Sequence, residues 1–224
     1  MGQMIEVSRP DGGKTPAYLA KGPRPGAPGI VLIQEWWGLN DHIRGVADRL
    51  SGEGYAVLAP DLYRGRGTTK ADEANHLMNS LDFIDATRQD IAGCVIHLSE
   101  GGGKVGVVGF CMGGALTVAS AVHVPGLSAA VCFYGVPPKQ VADPALIRLP
   151  FMAHFATLDT WCTPAIAASL EADMRAAGQL PEIHHYVAQH AFCNDSRRAE
   201  VYDEACASLA WDRTIAFFAR HLQA

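Results

Sequence analysis

The sequence KVGVVGFCMGGALTVASAV, residues 104–122, decides the fold class. Its first part, 104–110, is an apolar run of the kind found in strands that are buried on both faces of a sheet. A glycine-rich turn follows, and residues 114–122 have the composition of a helix. A buried strand that leads through a tight turn into a helix is the repeating unit of an α/β protein.

The same alternation continues on both sides of this stretch. Apolar runs predict further strands at 29–34, 55–60, 129–135, 150–156 and 182–187. Helical spacing predicts helices from Asn40 or Asp41 to about 51, and over 71–99, 164–177 and 199–222. Residues 1–20 predict a hairpin that turns at Asp11–Gly13, and 21–29 a connector. We therefore predict one domain over 1–224, with a mostly parallel sheet between two layers of helices.

The composition excludes several classes of protein. The chain has 224 residues, of which 49% are apolar, so it can bury a core. Its net charge of −5 argues against nucleic-acid binding, and the sequence has neither a long apolar span nor a secretory signal. Six cysteines without Cys-x-x-Cys spacing argue against a zinc site or a disulfide framework. We expect a cytoplasmic monomer that needs no metal and no organic cofactor.

Cys111 occupies the centre of the glycine-rich turn, in the form Gly-x-Cys-x-Gly over residues 109–113. A nucleophile in such a turn is held out at the edge of the sheet, and the glycines allow strand and helix to pack closely. The N-terminus of the following helix also favours a thiolate. The turn therefore predicts a cysteine nucleophile; the alternative is a buried cysteine in a tight turn.

A cysteine nucleophile needs a base and a residue that orients the base. In this architecture the chain order is nucleophile, acid, histidine, and Asp159 and His190 follow two of the predicted strands in that order. Alone, Asp159 would be a loop or N-cap carboxylate and His190 a loop histidine. Together they predict a Cys111–His190–Asp159 triad. Poorer candidates for the base are the histidines inside predicted strands, His154, His184 and His185.

Two backbone amides are expected to form the oxyanion hole, which stabilises negative charge on the substrate carbonyl oxygen. One belongs to Met112, directly after the nucleophile, and the other to Trp36, in the loop after strand 29–34. Glu35 lies in the same loop, where a buried carboxylate is costly unless it has a partner or a task. Its alternative role is a salt bridge, for example with Arg44.

Over about residues 29–222 the chain resembles the dienelactone hydrolase family of α/β-hydrolases. The resemblance rests on IQEWWGLND, GYAVLAPDLYRG, KVGVVGFCMGGAL, the FYG of 133–135, the Asp159 loop and the His190-x-Phe192 segment. It implies an α/β-hydrolase fold and a cofactor-free hydrolase of enol lactones or activated esters that forms an acyl-thioester. It also implies that Glu35 takes the thiol proton when substrate binds, and that Tyr134 lines the substrate pocket.

The chain departs from this family where the substrate carboxylate is bound. The best-known members of the family bind the substrate carboxylate with an arginine four residues after the catalytic histidine, where this chain has Asn194. The segment after DLYRG also lacks a second expected arginine. Tryptophans 36, 37 and 161 and Phe192 suggest a more aromatic pocket. We expect substrate contacts from Tyr134, Trp37, Phe192 and Asn194.

Three interpretations of function remain open from the sequence. The first is a hydrolase that acts on small lactones or esters as a dienelactone hydrolase does. The second is an esterase with the same triad and a less charged ester as substrate. The third is a protein that does not hydrolyse anything and uses Cys111 as a reactive thiol for binding or redox sensing.

Overall fold

The computed structural model describes residues 2–223 and places eight strands of this range in one sheet. The strands are β1 (Gln3–Ser8), β2 (Lys14–Ala20), β3 (Gly29–Ile33), β4 (Ala56–Pro60), β5 (Val105–Phe110), β6 (Leu127–Phe133), β7 (Phe151–Ala156) and β8 (Glu182–Tyr186). Their order is β1-β2-β4-β3-β5-β6-β7-β8. β1 and β2 form an antiparallel hairpin, and β3 to β8 run parallel to one another. The prediction of a mostly parallel sheet is confirmed.

Helices cover both faces of this sheet. They are α1 (Asp41–Gly52), α2 (Ala71–Ser80), α3 (Phe83–Asp85), a π-helical turn (Ala86–Ile91), α4 (Ala92–Ser99), α5 (Met112–His123), α6 (Pro164–Ala176) and α7 (Glu204–Leu222). Side chains of β3 alternate between two cores: Val31 and Ile33 pack with α4, α5 and α6, whereas Ile30 and Leu32 pack with α1 and α7. No helix within residues 2–223 is long and apolar enough to cross a membrane.

The helix predicted over 71–99 is broken at Leu81 and Asp82. The backbone of Leu81 is extended, and the Asp82 side chain accepts hydrogen bonds from the amides of Ile84 and Asp85. An aspartate that caps a new helix in this way competes with continuation of the old one. The apolar spacing across the break is still helical, so periodicity alone predicted a single helix.

The closing helix begins at Glu204 instead of near residue 199. Asp203 caps it by accepting a hydrogen bond from the amide of Cys206. The preceding segment forms a 3₁₀ turn at Asp195–Arg197. As a result, residues 194–197 belong to the loop that follows β8, next to His190.

The order of the strands places a crevice beside β3. From β3 the chain runs to β4 on one side and then returns to β5 on the other. In open parallel sheets such a reversal leaves a crevice at the carboxyl ends of the strands. The loop after β3 carries Glu35 and Trp36, and the turn after β5 carries Cys111. The topology therefore brings these residues to the same place.

Candidate active site

Cys111 lies between β5 and α5 with φ 57° and ψ −116°. L residues rarely adopt this conformation, which costs about 1–3 kcal/mol. Glycine is required around it: a Cβ on Gly113 would lie 2.4 Å from the carbonyl oxygen of Ile33, and one on Gly135 would lie 2.0 Å from that of Cys111. The cysteine is partly exposed and lines a cavity. Its sulfur is therefore accessible to a small molecule.

Asp159 and His190 are in direct contact. Nδ1 of His190 lies 2.7 Å from Oδ2 of Asp159, whose side chain is fully buried. The other carboxylate oxygen, Oδ1, accepts hydrogen bonds from the amides of Trp161 and Cys162, at 2.7 and 3.0 Å. Asp159 thus holds the loop that follows it through these amide hydrogen bonds, and it also fixes the orientation of the imidazole ring.

The second ring nitrogen of His190 is on the side of the thiol. Nε2 is buried and makes no hydrogen bond of standard geometry with residues 2–223, but His190 and Cys111 line the same cavity. Burial opposes a charged ring, yet hydrogen bonding and charge from Asp159 and Cys111 raise the pKa of His190 to about 10. This environment favours the imidazolium form of His190.

The two residues expected to supply the oxyanion hole lie on the same cavity. Met112 is the first residue of α5, so its amide has no acceptor within the helix. Its sulfur accepts a hydrogen bond from the buried Tyr63 hydroxyl at 3.2 Å. The indole of Trp36 packs edge-on against Trp37 and Trp161, with ring centroids 5.0 and 5.2 Å apart.

Glu35 is almost completely buried, with 1% of its surface exposed. Oε2 accepts a hydrogen bond from the side-chain amide of Asn194, whereas Oε1 has no partner among the described residues. Burial raises the pKa of this carboxyl group, and the charges of His42 and His190 oppose the shift. The salt bridge with Arg44 considered from the sequence does not form, because Arg44 pairs with Asp41.

The cavity has a volume of about 560 Å³ and a largely apolar wall. Its charged lining residues among those described are Glu35, His190 and Arg197. The guanidinium of Arg197 lies 4.8 Å from the ring centre of Trp37 and pairs with Glu200. Apolar lining residues from five separate segments are Trp36, Trp37, Met78, Phe83, Val136, Leu158, Trp161, Ile166 and Val201.

Two of the four expected substrate contacts lie off this wall. Tyr134 and Trp37 line the cavity, but Phe192 and Asn194 are fully buried and do not. Phe192 packs between Tyr134 and Tyr186, with ring centroids 5.4 and 5.0 Å away. Asn194 is turned toward Glu35. Phe192 and Asn194 therefore position the lining residues Tyr134 and Glu35 and do not themselves line the cavity.

Several lining residues were not identified from the sequence. Met78 of α2 and Phe83 of α3 reach the cavity because the helix breaks between them. Arg197 and Val201 reach it because the closing helix starts late. No local pattern in the sequence signals these positions; only the packing of distant segments does.

His154 has a structural role. His154 is fully buried, with Nδ1 2.8 Å from the Tyr186 hydroxyl and Nε2 3.1 Å from that of Thr214. Burial lowers the pKa of His154 well below its usual value, so the ring is neutral. All six cysteines are free thiols. Within residues 2–223 no group of three or more His, Cys, Asp or Glu side chains could hold a metal ion.

Comparison with known proteins places this geometry among hydrolases. The model of the dienelactone hydrolase family matches residues 15–222. Protein usf of Aquifex pyrophilus is 35% identical, over 99% of this chain and 100% of that protein. Carboxymethylenebutenolidase 1 of Cupriavidus pinatubonensis is 30% identical, over 96% of this chain and 95% of that enzyme.

Solved structures with similar folds include a protein assigned to the same family as these relatives. A crystal structure from Klebsiella pneumoniae, provisionally assigned as a dienelactone hydrolase, has a TM-score of 0.87 at 28% identity and covers 99% of this chain and 100% of its own. Esterase 2 of Thermogutta terrifontis has a TM-score of 0.72 at 19% identity, over 98% and 94% of the two chains. At that identity the esterase shows a shared fold only.

Proposed function

Because the chain belongs to the dienelactone hydrolase family, we propose that it hydrolyses enol lactones or activated esters with Cys111 as nucleophile, through an acyl-thioester. The observation that carries this proposal is the 2.7 Å contact between His190 and Asp159 beside a partly exposed Cys111 on one cavity. The proposed enzyme acts on small molecules as a cytoplasmic monomer, without nucleic acid, membrane or cofactor.

Acylation begins when Glu35 takes the proton of the Cys111 thiol, which leaves a thiolate beside protonated His190. Sγ adds to the substrate carbonyl carbon, and the electron pair of the carbonyl moves to its oxygen. The amides of Met112 and Trp36 stabilise this oxyanion, by about 3 kcal/mol for one good donor. The C–O bond to the enol or aryl oxygen then breaks, and Nε2 of His190 donates a proton where the leaving oxygen needs one.

Deacylation reverses the roles of the same groups. His190 takes a proton from water, and the resulting hydroxide adds to the thioester carbon. The Cys111 thiolate then leaves and takes its proton back from Glu35. Asp159 keeps the Nδ1–H form of the ring throughout. Since a thiolate is a better leaving group than an alkoxide, good oxygen leaving groups such as enolates favour acylation. Simple alkyl esters and amides are expected to be poor substrates.

Glu35 is assigned the role that the family resemblance implies. Its carboxylate accepts the thiol proton when substrate binds, which generates the nucleophile. The burial that raises the pKa of Glu35 supports this role, because it makes the carboxylate a stronger base toward the thiol proton. A buried Oε1 without a partner supports it further.

The acyl-thioester can be trapped with p-nitrophenyl acetate. His190→Ala is expected to retain an acetyl group after an acid quench, because the variant lacks the base that deacylates it. Intact-mass spectrometry should show one added acetyl group, and peptide mapping should place it on Cys111. Cys111→Ala is the control and should gain none. Turnover by the wild type with no acyl group on Cys111 in either protein would contradict the mechanism.

The second candidate function is an esterase for uncharged aryl esters. It is favoured by the apolar wall of the cavity. It is also favoured by Arg197, whose guanidinium stacks on Trp37 and already pairs with the carboxylate of Glu200. Asn194 offers no charge to a carboxylate and is already bonded to Glu35.

A panel of matched substrates distinguishes the two candidates. We compare kcat/KM for cis-dienelactone, p-nitrophenyl benzoate and p-nitrophenyl hemisuccinate. A neutral-ester enzyme should prefer the benzoate to the hemisuccinate by about tenfold or more, since a carboxylate would lose hydration without gaining an ion pair. Preference for the lactone and the hemisuccinate would instead support the dienelactone-like function.

A further inference from the structure

A buried asparagine holds one oxygen of the Glu35 carboxyl group. The side-chain NH₂ group of Asn194 donates to Oε2 of Glu35, and both residues are almost fully buried. Glu35 lines the catalytic cavity, whereas Asn194 does not. Oε1 has no partner among the described residues. Oε2 is therefore occupied from the protein interior, and Oε1 is the oxygen left to take up a proton.

A side-chain amide can present either of two ends to its neighbour. The oxygen accepts hydrogen bonds and the NH₂ group donates them, although the two ends have nearly the same shape. If Oδ1 of Asn194 faced Glu35, two acceptors would meet and the negative charge of the carboxylate would be destabilised. The end of the amide that faces Glu35 thus decides whether Asn194 stabilises or opposes the ionised form.

Ser196 determines which end of the Asn194 amide faces Glu35. The backbone amide of Ser196 donates to Oδ1 of Asn194 at 3.1 Å, and the Ser196 hydroxyl donates to the same oxygen at 2.5 Å. The Asn194 backbone is held as well, because its amide donates to the carbonyl oxygen of Ala191 and its carbonyl oxygen accepts from the amide of Arg197. Turning the side-chain amide over would place its NH₂ group against two donors. The NH₂ group is therefore directed toward Oε2.

Titratable and charged groups surround Glu35 from α1, from the turn before α5, from the residue after β6 and from the segment after β8. They are His42, Cys111, Tyr134, His190, Cys193 and Arg197. Within residues 2–223 the cations of this set form their ion pairs with other carboxylates. Glu35 instead accepts its hydrogen bond from neutral Asn194. A neutral donor stabilises the carboxylate less than a cation in contact would, so Oε1 keeps the basicity that proton uptake requires.

We infer that Ser196 is a positioning residue for the transfer of the thiol proton to Glu35. It holds the Asn194 amide with the NH₂ group toward Oε2, which favours the ionised carboxylate in the resting enzyme and leaves Oε1 to accept the proton. The inference rests on the proposed function, in which Glu35 takes the proton of Cys111. That proton moves from Sγ to Oε1 and returns to Sγ during deacylation. Ser196 is exposed and does not line the catalytic cavity, so it acts through Asn194.

The pH dependence of kcat/KM for p-nitrophenyl acetate tests this role. Glu35 must be ionised to accept the thiol proton, so activity rises with pH through the pKa of Glu35. Ser196→Ala removes one of the two hydrogen bonds that orient the amide, and that pKa rises because the charged form loses part of its donor. We expect the acid limb of the profile to move up by about half a pH unit, with an unchanged plateau at high pH. Ser196→Thr keeps a hydroxyl group and should restore the wild-type profile.

A double-mutant cycle determines whether Ser196 acts through Asn194. Asn194→Leu removes the donor to Oε2, and we expect the acid limb to move up by about one to two pH units. In this background Ser196→Ala should cause no further shift, because no amide remains to be oriented. If Asn194→Leu fails to fold, Asn194→Ala takes its place. The matched control is Ser80→Ala, at an exposed serine of α2 whose hydroxyl donates to the carbonyl oxygen of His76, and its profile should match wild type.

Three results would overturn the inference in variants whose Tm equals that of wild type. The first is an acid limb that does not move in Ser196→Ala. The second is a shift from Ser196→Ala that persists in the Asn194→Leu background. The third is a fall in kcat/KM that is equal at every pH, which marks a purely structural role. Cys111→Ala is assayed beside these variants: if it is inactive, the proposed function survives any of the three results, and if it keeps wild-type turnover, the proposed function fails first.

Discussion

Cys111→Ala should lower kcat/KM for p-nitrophenyl acetate by about 10⁵-fold or more, as loss of a nucleophile does in enzymes whose catalytic groups act as a unit. The variant keeps the imidazole, the carboxylate and the oxyanion donors, but no atom remains to form the acyl intermediate. Alanine and cysteine have the same restriction on the backbone at φ 57°, so the strain of the turn is unchanged. We therefore expect a Tm close to that of wild type, measured by circular dichroism beside the steady-state assay.

The matched control for this loss is Cys206→Ala. Cys206 is also a partly buried free thiol, but it lies at the start of α7 and does not line the catalytic cavity. Its removal should leave kcat/KM within about twofold of wild type, as expected for a substitution away from the site. If Cys111→Ala keeps wild-type turnover, the nucleophile is wrong. If the wild type has a reactive thiol but turns over none of the substrates, Cys111 is a binding or redox residue instead.

The parts of the site that follow from the sequence are those encoded by short local patterns. Gly-x-Cys-x-Gly requires a strand before it and a helix after it, and both are recognisable from composition. Asp159 and His190 could be paired because each follows a buried strand, and parallel strands end at one edge of the sheet. Their contact over 31 positions in the chain is thus a consequence of topology.

The parts of the structure that the sequence did not predict depend on which of several possible hydrogen-bonding or charged partners a residue contacts. The pattern of 71–99 is helical throughout, and only the capping by Asp82 breaks it. For Glu35 the sequence offered Arg44 as partner, yet Asp41, three residues away on the same helix, takes that arginine. Asn194, 159 positions from Glu35, bonds to the carboxylate instead. The packing of loops determines such contacts, and no periodic pattern of residues in the sequence predicts it.

Asp159→Asn should lower kcat/KM by about 10⁴-fold, the effect expected when a catalytic histidine is held in the wrong tautomer. Oδ1 of Asp159 already accepts two amide hydrogen bonds, from Trp161 and Cys162. An asparagine must keep its oxygen there, so its NH₂ group faces Nδ1 of His190. Nδ1 then has to accept a hydrogen bond, which puts the proton on Nε2, the nitrogen that must act as base. Steady-state kinetics measures the loss.

The same variant changes the ionisation of the site in a predictable direction. Asp159 contributes to raising the pKa of His190 to about 10, so Asp159→Asn lowers that pKa and weakens the imidazolium that stabilises the thiolate. The rate of Cys111 alkylation by iodoacetamide at neutral pH should therefore be lower than in wild type. Asp143→Asn is the matched control, because Asp143 caps a turn through the amide of Ala145 and has no hydrogen bond or ion pair with a histidine within residues 2–223. If both variants show the same small decrease in kcat/KM and in the alkylation rate, Asp159 serves only to hold the conformation of its loop.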